Sequence, residues 1–136
     1  MALEDTGSTT ESIHGHAAEH AGVEHRHVED HSRLSRDHLA AHEALCARHI
    51  EEHIGLADRH VAEHEKAAGA GPAQKAGMSA IHAAQHLLLE VRHAGELAWM
   101  ETRHAGARVG IDARHAMELL AQERRHATDD GRPQPG

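Results

Sequence analysis

Histidines stand four residues apart at five places in the first half of the chain: His16/His20, His27/His31, His38/His42, His49/His53 and His60/His64. On a helix, residues four apart lie one turn apart on one face, so both rings of a couplet can reach a single metal ion. The couplets recur every eleven residues. The second half keeps the same interval with single histidines at His82, His93, His104, His115 and His126, and adds His86 beside the first. Three imidazoles are the core of many transition-metal sites. A partner helix carrying the second array would bring the third ring to each couplet.

A fourth ligand is also patterned. An acid stands three residues before a histidine at Glu90–His93, Glu101–His104, Asp112–His115 and Glu123–His126. That spacing puts carboxylate and imidazole on one face, as in di-metal carboxylate bundles. Before His82 the corresponding residue is Ser79, and there alone the extra His86 appears. The expectation is five sites in a row. They are His16, His20, His126 and Glu123; His27, His31, His115 and Asp112; His38, His42, His104 and Glu101; His49, His53, His93 and Glu90; and His60, His64, His82 and His86. The acids are read either as ligands or as groups that support the rings. Neighbouring sites would lie about 16 Å apart at about 1.5 Å per residue. Paired-metal catalysis needs ions about 3.5–4 Å apart, so near-copies at this spacing suit capacity rather than turnover, and no enzyme is expected.

The elements that must position these rings are helical. An eleven-residue period is three turns at about 3.67 residues each, which keeps one narrow face in register along a nearly straight helix. Counting each block from its histidine, the eighth place holds Val23, Leu34, Leu45, Leu56 and Ala67, an apolar spacer between couplets. Gly69, Gly71 and Pro72 mark a turn between the arrays. Ser8 with Glu11 has the form of a capping box, and Gly131 with Pro133 forms a stop. The chain is therefore expected to be all-α, a long antiparallel helical hairpin with 11-residue repeats. Its parts are a polar N-terminal tail (1–9), helix 10–68, turn 69–73, helix 74–129 and a C-terminal tail (130–136). Pairing the midpoint of each couplet with its single histidine gives a constant index sum of 144, centred on Pro72.

Composition narrows the function classes. Trp99 is the only aromatic residue besides histidine, and Cys46 is the only cysteine. No intrachain disulfide can form, and a thiolate metal store or a haem pocket is disfavoured. The formal charge of −8, without a basic patch interleaved with aromatics, speaks against nucleic acid. No apolar run is long enough for a membrane span, and the acidic start "MALEDTGSTTES" has no secretory pattern. The expectation is a soluble, cytoplasmic protein. Imidazole with carboxylate suits Zn(II), Ni(II), Co(II) or Cu(II) over Mg or Ca; zinc is the first choice. A further apolar strip, Val28, Leu39, Ile50 and Val61 with Leu87, Val109 and Leu120, points to a homodimer that closes a four-helix bundle. Gly22, Gly55, Gly95, Gly106 and Gly110 inside the helices weaken them by about 1 kcal/mol each relative to Ala, which points to helix content that depends partly on metal. His14 and His25 fall outside the repeat and are read as surface groups. Cys46 is read as a small packing residue. The arginines before each histidine (Arg92, Arg103, Arg114 and Arg125) are read as solvated or paired with acids.

At "HLAAHEAL" and "HIEEHIGL" the chain resembles histidine-rich helical metal-binding and metal-storage proteins. The expected bundle is similar to cytosolic copper-storage bundles, with His where those use Cys. The resemblance is one of pattern over residues 14–126, and it implies buffering or storage of metal on repeated histidines. Two other classes fit the same residues: a metallochaperone that delivers ions to a partner, and a structural, pH-sensitive histidine coiled coil.

Overall fold

The computed structural model describes residues 7–131, with side chains from Ile13 onward. The described chain is two helices, α1 (Gly7–Lys66) and α2 (Pro72–Asp130), packed against each other as an antiparallel hairpin, with no strand among the described residues. Ala, Leu, Glu, Arg and His fill both helices, and no proline interrupts either.

Pro72 opens α2 at the first helical position, where its missing N–H costs nothing and its fixed φ suits the helix. The Gly71 carbonyl before it accepts the Lys75 N–H at 3.1 Å. At the end of α1 the chain tightens. Ala68 N–H donates to Glu65 O at 3.3 Å and Ala70 N–H to Ala67 O at 2.9 Å, which satisfies carbonyls that the helix leaves open. No described residue has positive φ, so Gly69 and Gly71 sit in the turn without a left-handed conformation. The helices begin and end within three residues of the sequence-based bounds. α1 already contains Ser8 and Glu11, whose side chains lie outside the described ones, as does Pro133.

Contacts divide the chain into two units, each made of one stretch of α1 and one of α2. In the unit of residues 37–104 the buried side chains are Leu45 and Leu56 with His49, His60, His82 and His93. In the other unit they are Val23 and Ile111 with Gln122. All four buried aliphatics follow a repeat histidine by seven residues, the spacing that returns to the same face. Each contributes at most about 1.5–3 kcal/mol by burial, and the buried histidines His49, His60, His82 and His93 equal them in number. The second strip is open: Val28, Leu39, Ile50 and Val61 are 58–60% exposed, and Leu87, Val109 and Leu120 are exposed as well.

Candidate metal centres

Across the seam the first histidine of every couplet stacks face to face on a histidine of α2. The pairs are His16–His126 (centroids 3.4 Å apart), His27–His115 (3.8 Å), His38–His104 (3.8 Å), His49–His93 (3.6 Å) and His60–His82 (3.7 Å). The residue numbers of each pair add up to 142, so the hairpin closes about residue 71. The sequence places the α2 ring midway along the couplet; the structure moves it onto the first member. The reason is geometric: one flat ring can stack on only one of two rings a helical turn apart.

The second ring of the couplet then meets the stack edge-on. His31 lies 4.5 Å from His27 at 88°, His53 lies 5.0 Å from His93 at 79°, and His64 lies 4.9 Å from His82 at 83°. His42 lies 6.1 Å from His38 at 70°. His86 faces His60 edge-on at 4.8 Å and also reaches His53 at 6.3 Å, so it stands between two neighbouring centres. His20 is exposed and takes no part in the His16–His126 stack.

Acids hold the outer edges of the stacked rings. Nearer the turn they come from three residues after a histidine, and the exchange is reciprocal. His93 Nε2 meets Glu52 at 2.6 Å while His49 Nε2 meets Glu96 at 2.8 Å. His82 Nε2 meets Glu63 at 2.5 Å while His60 Nε2 meets the amide oxygen of Gln85 at 2.7 Å. At His38–His104 both of these positions are alanine, Ala41 and Ala107, and Glu101 serves His38 at 3.1 Å from three residues before. At His27–His115 the near contacts again come from three before: Glu24 to His115 at 3.1 Å, and Asp112 to His31 at 2.8 Å and to His27 at 3.5 Å. Glu19 serves His126 at 3.1 Å.

These contacts decide which ring nitrogen is available. An ionised carboxylate only accepts, so the nitrogen facing it carries the hydrogen. In a neutral ring the lone pair is then on Nδ1, the geometry of a carboxylate–histidine–metal relay. Nδ1 of His27 and of His115 are buried without a hydrogen-bond partner among the described residues. At the turn, His82 Nδ1 accepts a hydrogen bond from His64 Nε2 at 3.2 Å, so an ion between these two nitrogens would replace that bond. Two nitrogens on a tetrahedral zinc, each at about 2.0–2.1 Å, are about 3.3 Å apart. His27, His31 and Asp112 form the one group of three among the described residues whose ligand atoms all lie within 4.8 Å of one another.

The chain matches no protein-family model, no curated protein and no solved structure.

Of the expected acids, Asp112 and Glu101 reach histidines, whereas Glu90 and Glu123 are exposed and stand outside these contacts. In their places Glu52 and Glu96 serve His93 and His49 and Glu19 serves His126, while Glu63 serves His82 at the turn; the acid-before-histidine pattern selects none of these four. The signal for them is His-x-x-Glu, plain in "HAAEH", "HIEEH" and "HVAEH". The N–H of the facing histidine, first among the causes, holds each of these four carboxyls and that of Asp112 below the ordinary range. Arg48 adds to this at Glu96 and Arg92 at Glu52, each arginine bonding the glutamate of the opposite helix. His14 is exposed, and His25 pairs on the surface with Glu29 at 3.2 Å. Cys46 is half-buried with its sulfur 3.5 Å from His42 Nδ1, so it touches a couplet histidine rather than only packing.

Proposed function

We propose that this protein stores or buffers divalent transition-metal ions in about five histidine centres along one helical hairpin. The observation that carries the reading is the convergence of His27, His31 and Asp112, in a seam where the same stack of rings recurs at every eleven-residue step. Further support comes from the buried Nδ1 atoms of His27 and His115, which have no hydrogen-bond partner among the described residues. The donors suit zinc first, then nickel, cobalt or copper. Near-copies of a site provide capacity; a catalyst needs one distinctive site. Parallel rings cannot aim two lone pairs at one ion, so loading a centre turns one ring out of its stack.

We place the protein in the cytoplasm as a homodimer, with the open strip of Leu39, Ile50 and Val61 against a second copy. No described helix is long and apolar enough to cross a membrane. The test is elemental analysis of protein purified without a histidine tag and saturated with zinc. About five ions per chain are expected; fewer than three overturn storage.

A second reading is favoured by the reciprocal His49–Glu96 and His93–Glu52 contacts, which order the seam without an ion. It is a structural histidine coiled coil. Circular dichroism separates the two: storage requires the melting temperature to rise with zinc, whereas a purely structural coil keeps the same melt in zinc and in chelator.

A further inference from the structure

Gln122 is the most deeply buried side chain described, at 1% exposure. It occupies the eighth place of its block, where the other α2 blocks have Leu89, Met100 and Ile111. An aliphatic side chain there would need no partners. The glutamine satisfies only half of its amide: Nε2 donates to Glu19 at 3.4 Å, and Oε1 is buried with no hydrogen-bond partner among the described residues. A buried acceptor left unpaired is destabilising, so this glutamine weakens the seam relative to leucine.

What it gains is a chain of contacts. Glu19 accepts from Gln122 and from His126 Nε2 at 3.1 Å, and His126 stacks on His16. Among the described residues no arginine is hydrogen-bonded to Glu19 as Arg92 is to Glu52 and Arg48 to Glu96; Arg125 acts on it through its charge alone. Gln122 supplies the second hydrogen bond that Glu19 receives.

We propose that Gln122 is a positioning residue for the His16–His126 centre: it fixes Glu19, and Glu19 keeps the hydrogen of His126 on Nε2 and the lone pair on Nδ1 for a metal ion. The inference rests on the storage reading for its consequence, while the tautomer of His126 can be read without any metal. Outer contacts of this kind change metal affinity about 10–100-fold when removed.

The experiment compares the full chain with Gln122→Leu and with Gln122→Glu, which keeps the shape but cannot donate when ionised. In metal-free protein, ring 15N shifts should report His126 as the Nε2–H form in the wild type and as a mixture in both variants. Zinc titration followed at the His126 ring should show about tenfold weaker binding in both variants, while Gln122→Leu melts higher than the wild type. Opposite signs for stability and affinity are what a purely packing role would not produce. An unchanged His126 tautomer in both variants overturns the inference, whether or not zinc binds. A wild-type chain that binds no zinc overturns storage and leaves the tautomer result to decide the role of Gln122.

Discussion

His49 and His93 stack at 3.6 Å with their planes 7° apart, and each gives its outer nitrogen to a glutamate three residues beyond the other. Arg48 and Arg92 close the arrangement by bonding Glu96 and Glu52. Both rings are buried. A buried polar assembly of this kind is often no more stable than well-packed aliphatics. The paired substitution His49→Leu with His93→Leu should therefore stabilise the metal-free protein, by about 1 kcal/mol or more from leucine burial, and remove one bound ion. Chemical denaturation and elemental analysis check both. A destabilised double variant would mean that the stack itself holds the hairpin together.

Acid should loosen the seam in a defined window. Glu19, Glu52, Glu63, Glu96 and Asp112 titrate lower in the folded chain than in the unfolded one. The unfolded state then binds more protons, so stability rises with pH. Their contribution is present above the ordinary values, near 4.5 for the glutamates and 3.8 for Asp112, and is lost as pH falls through the lower folded values. Melting temperatures measured from pH 5.5 down to 2.5 should fall, and Glu52→Gln with Glu96→Gln should flatten the fall. The same slope in wild type and variant would show that these carboxylates do not govern acid unfolding.

Gly55 and Gly95 lie inside helices, and a Cβ built on either meets nothing within 4 Å. Alanine at each should stabilise by up to about 1 kcal/mol through helix propensity alone. Thermal melts of the single variants without metal test this. Destabilisation at either position would mean that the glycine meets a partner beyond a single chain, as a dimer face would require.

The His31–Asp112 contact of 2.8 Å can be separated from folding. Asp112 is exposed, so Asp112→Asn should leave helix content unchanged while weakening one ion about 10–100-fold. Calorimetric zinc titration resolves that single event. An unaltered titration would remove Asp112 from the centre.

The helices and their turn were legible because they depend on local signals: helix-forming composition, an unbroken eleven-residue period, and a first proline at Pro72. The histidine sets were legible for the same reason, since a period places His27, His31 and His115 on facing stripes whatever the atomic details. Glu52 and Glu63 were harder to see. An acid three before a histidine and an acid three after it share the same helix face, and only the partner helix distinguishes them.

The sequence by itself therefore determined the fold class and the facing histidine arrays, because helical geometry turns spacing into faces. Tertiary structure alone decided that each couplet stacks through its first ring, with the register centred on residue 71. It also decided that the carboxylates near the turn cross from one helix to the other. These depend on how closely two helices approach and how flat rings fill the gap, and one helix's periodicity carries no information about either. Gln122 shows the difference most plainly. In sequence it is one polar residue in an apolar place; in the hairpin it is buried against Glu19, and through Glu19 it reaches His126.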